Sequence, residues 1–490
     1  MEHCKKIETP TALVLLGGTG DLAQKKLLPS LYDLTAKEVL PDKLHIVGFA
    51  RDDMTDEAYR VFAKEHIEKR ARLVDEERLA AFLERLVYIR GSFEERSAFE
   101  AIKTNLETFD AHIGMCTSKL FYLAVPPVFY DTIFEQIAHT KLDQPCTVGE
   151  GWIRILVEKP FGSDLDHAHK LEDKLSVLFK EEQIYRIDHY LAKDALQNIL
   201  SFRFSNVLFE DKWNKDFVEA VSIRVFENFD VSTRGAFFDG VGALRDVGQN
   251  HMLQMLSLIA MDHPQELAAD ALRAARADVL ETLVLPTKDE LGSNIIKGQY
   301  KGYRGTPNVD PESKTETYFA LKTFLHKPEW EGVPFYLEHG KAMNTTLSEI
   351  TVRFRSAEHC VCGDSAPHEH PNLVRFTIGP EQKITVRFWV RAPGLKYELE
   401  PNDLVFDRVH AVASKDTTLI ADAYEEVLYD AICGEQTLFV SSREQAAAWK
   451  YVTTILDLWS EVEPDTYKPQ SQGPESELVH TIKEHMHLSA

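Results

Sequence analysis

The sequence predicts an α/β N-terminal domain of Rossmann-like type, followed by a larger α+β domain built on a mostly antiparallel sheet. Three observations carry this. Over the first 160 or so residues, apolar strand-like runs alternate with amphipathic helical stretches, the rhythm of a parallel sheet with helices on its faces. A glycine-rich turn follows the first of these runs directly. From about residue 218 every second residue becomes apolar, as in Ile350-x-Val352-x-Phe354 and Ile384-x-Val386-x-Phe388-x-Val390, which marks strands with one buried and one solvated face.

In the first domain, the strand-like runs are 12–18, 44–50, 119–125 and 152–158, with helical patterns over 22–34, 56–69 and 75–85 between them. The boundary falls between 185 and 186, giving domains 1–185 and 186–490. In the second domain, 222–227, 317–325, 349–354, 372–378, 383–390 and 403–406 read as strands. Helical patterns over 241–261, 266–283, 421–432 and 443–460 are long enough to cover the far side of its sheet. The polar, weakly patterned stretch after Pro464 reads as a tail.

Bulk properties narrow the function. A chain of 490 residues is too long for one hydrophobic core. A net charge of −23 argues against nucleic acid or an anionic membrane as partner, and no apolar run approaches bilayer length. The short apolar run at 12–16 ends in glycines, so it reads as a buried strand and not as a signal-peptide core. Six cysteines without framework spacing point to a reducing compartment, hence the cytoplasm.

The glycine turn is Gly17-Gly18-Thr19-Gly20-Asp21-Leu22-Ala23, which satisfies G-x-G-x-x-A through Gly18, Gly20 and Ala23. Between a strand and a helix, such a turn lets backbone approach a pyrophosphate, and the helix N-terminus supplies amide donors and a favourable dipole. The second strand run ends in Arg51, about thirty residues on, followed by Asp52 and Asp53. An arginine there suits the 2′-phosphate of NADP; the neighbouring carboxylates leave NAD open.

Three further segments are richer in titratable groups than packing requires. Val157-Glu158-Lys159-Pro160-Phe161-Gly162 ends a strand with a lysine, at the edge where ligands of open α/β sheets bind. The run Tyr185-Arg186-Ile187-Asp188-His189-Tyr190-Leu191-Ala192-Lys193 gathers cations, an imidazole and a carboxylate. Arg245-Asp246-Val247-Gly248-Gln249-Asn250-His251 heads a helix that is otherwise apolar through Met261, with Asp246 and His251 five residues apart.

The strings GGTGDLA, EKPFG, RIDHYLAK and RDVGQNH, in this order, together with WEGVPFY leading into Gly340-Lys341-Ala342, resemble the signature motifs of the glucose-6-phosphate dehydrogenase family over residues 12–460. The resemblance implies oxidation of glucose 6-phosphate at C1 to 6-phosphoglucono-δ-lactone, with hydride passing to NADP. It implies His251 as general base and Asp188 as the carboxylate that orients and sustains its imidazolium. His189, Tyr190 and Lys193 would bind the phosphate. Glu227 and Asp246 would accept from sugar hydroxyls, Lys341 would close the site, and Lys159 would lie between sugar and nicotinamide. Gly17, Gly18, Thr19, Gly20, Asp21, Leu22, Arg51, Tyr122 and Lys159 would hold the coenzyme. The lysines and His189 would form a cationic pocket within an acidic protein. A homodimer or dimer of dimers is implied as well.

The chain departs from that family pattern at Thr346, where a second basic residue is usual, and at Asp194 within the third motif. Leu347 and Thr351 stand where animal members bind a second, structural NADP, so no such site is expected. The loop His359-Cys360-Val361-Cys362 through His368-Glu369-His370 clusters zinc-ligand types, but at no standard spacing; it reads as a polar hairpin loop without metal. Two other readings stay open: a related sugar or sugar-phosphate dehydrogenase with dual NAD/NADP use, which Thr346 favours, and a non-catalytic NADP-binding homologue, which the pairing of Asp188 with His251 opposes.

Overall fold

The computed structural model describes residues 6–144, 151–358, 370–395, 397–407 and 421–486. The chain falls into two compact units: residues 1–192, 268–273 and 421–442 make the first, and 193–267, 274–420 and 443–490 the second.

In the first unit, β1 (Thr11–Leu16), β2 (Leu44–Ala50), β3 (Leu86–Arg90), β4 (Ser118–Leu123), β5 (Ile153–Val157) and β6 (Ile184–Ile187) form a parallel sheet in the order β6-β5-β4-β1-β2-β3. A seventh strand, Phe439–Val440, pairs antiparallel with β6. Each strand sends alternate residues to opposite faces, and both faces are covered. Leu13 and Leu15 join one apolar cluster, while Ala12, Val14 and Leu16 join another against the helices Arg96–Ile113, Tyr130–Thr140 and Leu165–Leu178.

The cluster around Leu13 also takes in Val427, Leu428, Ala431 and Ile432 of the helix Ala423–Cys433. Sequence patterning assigned this helix to the second domain's sheet. It packs instead on the helix Leu28–Ala36 of the first unit, because its apolar stripe completes that unit's core. Arg154 holds its far end, donating to the Ala431 and Ile432 carbonyls at 2.8 and 2.7 Å. Cys116 is disulfide-bonded, a departure from the reducing-compartment reading of the cysteines.

In the second unit, β7 (Val218–Phe226), β8 (Ile295–Tyr300), β9 (Tyr318–Thr323), β10 (Phe335–Gly340), β11 (Leu347–Phe354), β12 (Leu373–Gly379), β13 (Lys383–Arg391) and β14 (Leu399–Phe406) line up as β14-β13-β12-β11-β7-β10-β9-β8. The pairings are antiparallel except β10 on β7. The residues after Pro464 are no loose tail. Asp465–Tyr467 adds a ninth strand parallel to β8, and the helix Glu477–Met486 buries Leu478, Val479 and Ile482. The Cys/His loop at 359–369 lies outside the described residues. Its last member, His370, packs its ring on Trp389 with centroids 4.4 Å apart. Among the described residues no cluster of metal-ligand type occurs, and no helix is long and apolar enough to cross a membrane.

Candidate active site

The glycine turn sits at the carboxyl end of β1, and its glycines have separate reasons to be glycine. Gly17 has φ +92°, and a Cβ on it would run into the Ala124 carbonyl. At Gly18 a Cβ would come within 2.8 Å of the Gly48 Cα on β2. The amides of both donate to the Phe49 carbonyl at 2.8 and 3.0 Å. Gly17 and Gly18 therefore lock the turn to its own sheet. Gly20 is less crowded: a Cβ there would find the Gly17 carbonyl at 3.2 Å and the Ala124 carbonyl at 3.8 Å. Asp21 and Leu22 open the helical segment, and Asp21 pairs with Lys25 one turn on at 2.6 Å. The Thr19 hydroxyl donates to Asp52 at 2.5 Å. Arg51 is exposed at the end of β2. A crossing strand end, a glycine turn into a helix and an exposed arginine beyond fit a dinucleotide with a 2′-phosphate.

Tyr122 does not fit the coenzyme role. It is fully buried in β4 and its hydroxyl donates to Glu158 at 2.6 Å, so it has no surface to offer a ligand. Its partner matters more. Tyr424 lies within electrostatic reach of the Glu158 carboxyl, and the Tyr130 hydroxyl holds the Glu158 carbonyl at 2.7 Å. Burial pushes this carboxyl up despite the tyrosine bond. Tyr122 and Tyr130 thus fix the strand end that carries Lys159. The sequence offered no signal for Tyr424, which arrives from the distant helix Ala423–Cys433.

Past β6 the chain turns on Asp188. Its carbonyl accepts from Leu191 N at 3.0 Å and its Oδ1 from Tyr190 N at 3.0 Å, leaving the side chain 1% exposed. His189 stacks on Tyr424, with centroids 6.0 Å apart and planes 16° off parallel. Arg186, a cation of the same motif, is not available to a phosphate: Glu172 takes it at 2.7 and 2.8 Å and Glu181 at 3.0 Å. These belong to the first unit.

In the second unit, Lys193 caps the helix Asp194–Phe204, its carbonyl accepting from Leu196 N and Gln197 N. The segment Leu244–Met252 is a π-helix that runs on as the buried α-helix Leu253–Ala260. In α winding, at ~100° per residue, Asp246 and His251 would lie roughly 140° apart. Closing each turn at i to i+5 sets residues five apart one above the other, which brings the two onto one face. The start of this segment is fixed by Glu316, whose carboxylate accepts from Leu244 N at 2.9 Å and whose carbonyl accepts from Ala243 N. Gly248 allows the close packing, since a Cβ there would lie 3.0 Å from the Phe319 ring on β9.

Lys341 follows β10 and is nearly buried. It pairs with Glu227 at 2.5 Å and Asp246 at 3.4 Å, and lies 4.9 Å over the Phe238 ring. The backbone around it is doubly held: Lys341 N donates to Thr317 O, and the Tyr467 hydroxyl donates to Lys341 O at 2.7 Å. Tyr467 lies in the stretch that sequence patterning read as tail. His339, two residues before the lysine, is fully buried with its Nδ1 2.6 Å from Val225 O. Burial lowers it to about 4, so it stays neutral beside these charges. Thr346 is exposed, and its hydroxyl accepts from Asn228 N at 3.3 Å, next to Glu227.

A glycine turn at the carboxyl end of a parallel sheet, and elsewhere in the chain a buried histidine one π-turn from a lysine-bound carboxylate, define a dinucleotide-linked dehydrogenase. Comparison with known proteins narrows the class. Residues 14–198 match the glucose-6-phosphate dehydrogenase NAD binding domain, and residues 200–487 match the glucose-6-phosphate dehydrogenase C-terminal domain. The chain belongs to the glucose-6-phosphate dehydrogenase family. It is 36% identical to the glucose-6-phosphate 1-dehydrogenase of Chlamydia pneumoniae, over 95% of this chain and 93% of that one. It is 35% identical to that of Borreliella burgdorferi, over 94% and 95%. Among solved structures, a glucose-6-phosphate dehydrogenase in complex with its substrate glucose 6-phosphate superposes with a TM-score of 0.89 at 29% identity, covering 99% of each chain. The enzyme from Mycobacterium avium gives 0.81 at 28%, covering 98% of this chain and 99% of that one.

Proposed function

We propose that this protein oxidises glucose 6-phosphate at C1 to 6-phosphoglucono-δ-lactone, using NADP. The observation that carries this reading is Lys341 clamped between Glu227 and Asp246, with Asp246 one π-turn from His251. Two carboxylates offer acceptors to sugar hydroxyls, and the lysine between them balances their charge. Lys341, Lys193, His189 and Tyr190 supply the cations and donors a phosphate requires. His251 takes the C1 hydroxyl proton as the C1 hydride leaves, and Asp188 supplies the charge that sustains its imidazolium. NADP, when bound, accepts that hydride. In this reading Lys159, at a strand end held by Tyr122 and Tyr130, meets both reactants, and the amides of Asp21 and Leu22 meet the pyrophosphate. A homodimer and a cytoplasmic location are part of this reading. They rest on likeness to the family, two Arabidopsis thaliana relatives being named as cytoplasmic, and the disulfide at Cys116 weighs against the location. The test is a screen of NADP and NAD reduction with glucose 6-phosphate, other hexose phosphates and free glucose. Preferential turnover of another sugar would overturn the reading.

Two variants probe the binding groups. Arg51→Ala should weaken NADP roughly 10–100-fold and leave NAD within about two-fold, the loss of a charge-assisted grip on the 2′-phosphate. Equal losses in a titration with both coenzymes would place Arg51 elsewhere. Thr346→Lys should lower the Michaelis constant for glucose 6-phosphate by roughly 3–30-fold with kcat little changed, an effect that shrinks as salt rises. Thr346 is exposed and its hydroxyl accepts from Asn228 N, a bond the substitution gives up. Weaker binding, together with good turnover of a different sugar, would assign the site to that sugar.

A further inference from the structure

Arg51 is followed by two carboxylates, an arrangement that should repel a 2′-phosphate. The structure engages both elsewhere. Asp52 accepts from Thr19 of the glycine turn, and Asp53 pairs with Arg90 at 2.9 Å. Arg90 is the last residue of β3 and sits opposite Ala50 in the β2–β3 ladder, one position across from Arg51. Hydrogen bonds tie the two strand ends together. The buried Tyr88 hydroxyl lies 3.0 and 2.7 Å from the Ala50 and Asp52 carbonyls, which share its one proton, and Gly91 N donates to Ala50 O at 2.9 Å. Two arginines on adjacent strand ends therefore flank the point where the coenzyme's adenosine ribose would end. The Arg90–Asp53 pair is open to solvent, with side chains 59% and 83% exposed, so little holds the guanidinium to the carboxylate.

We propose that Arg90 is a second, specificity-determining arm for the 2′-phosphate of NADP, resting on Asp53 until the coenzyme arrives. A phosphate dianion takes two parallel N–H bonds from a guanidinium and carries more charge than a carboxylate, so the exchange favours the coenzyme. Asp53 then acts as a competitor that lowers affinity, and Glu94, within electrostatic reach of Arg51, opposes binding in the same way. The inference rests on NADP as coenzyme, with its 2′-phosphate at the end of β2.

The test is calorimetric titration of the full chain with adenosine 2′,5′-bisphosphate and with AMP, which differ only by the 2′-phosphate. Arg90→Ala should weaken the bisphosphate about 5–30-fold and leave AMP within about two-fold. Asp53→Asn should tighten the bisphosphate about 2–5-fold. In the Asp53→Asn background, Arg90→Ala should still cost most of its effect. If that cost vanishes, Arg90 only shields Asp53 and the proposal falls. It falls too if Arg90→Ala weakens AMP equally or weakens neither ligand. Arg51→Ala separates the two claims. Loss there with none at Arg90 keeps the Arg51 reading alone; selective loss at Arg90 with none at Arg51 upholds Arg90 and discards that reading.

Discussion

His251→Asn should lower kcat by roughly four orders of magnitude while the Michaelis constant for glucose 6-phosphate stays within a few-fold. A general base acts as the C1–O–H bond breaks, so its loss appears in the transition state and barely in ground-state binding. The variant should fold. His251 is 2% exposed inside the π-helix, asparagine fills much of the same space, and the contact of its main-chain amide with Asn250 Oδ1 does not involve the side chain. The measurements are steady-state kinetics with both substrates varied, and a thermal melt. Near-normal turnover in a folded protein would remove His251 from the chemistry.

Asp188→Asn should reduce kcat by roughly 10²–10⁴, with substrate affinity again little changed. Here place and charge separate cleanly. The hydrogen bond from Tyr190 N to Oδ1 survives in asparagine, whose carbonyl oxygen accepts just as the carboxylate does, so the turn after β6 keeps its shape. What disappears is a negative charge held at 1% exposure, where surrounding water does little to screen it. A kinetic loss with an unchanged melting temperature would report that charge. If stability falls while kcat per folded molecule holds, Asp188 is a turn residue and nothing more.

Much of the first sheet could be read directly, because parallel strands buried on both faces are continuous apolar runs and the glycine turn marks their first crossover. Other strands escaped notice for physical reasons. Ile295–Tyr300 contains a lysine and a glycine, and Phe335–Gly340 ends in Glu-His-Gly; both look like loop until Glu338 finds the Tyr318 hydroxyl at 2.6 Å and His339 finds Val225 O. The motifs identified Asp246, His251 and Lys341, yet not the winding that aligns the first two. A π-turn depends on packing, here Gly248 against Phe319 and Glu316 at the segment's start, and periodicity does not record it. Tyr122, expected at the coenzyme, is buried against Glu158, and Arg186 of the third motif is taken up by Glu172 and Glu181. Tyr424 and Tyr467 gave no sign, because their partners lie hundreds of residues away or more than a hundred, at Glu158 and at Lys341. Sequence patterns report local geometry and single-face burial; choice of partner is a tertiary fact.

The first unit borrows residues 421–442 from late in the chain, and this has a temporal side. A ribosome exposes the N-terminal 192 residues long before that segment exists. Until then Leu13, Leu28, Leu31 and Tyr185 lack the cover that Val427, Leu428, Ala431, Ile432 and Phe439 later provide. Closing a loop of more than two hundred residues is slow compared with making local helices, and an uncovered apolar face invites association in the meantime. The nascent coenzyme-binding unit is thus a natural client for chaperones, and an excised fragment ending near residue 192 would be aggregation-prone however intact its glycine turn. Synthesis, on this topology, must be nearly complete before either half of the enzyme can be.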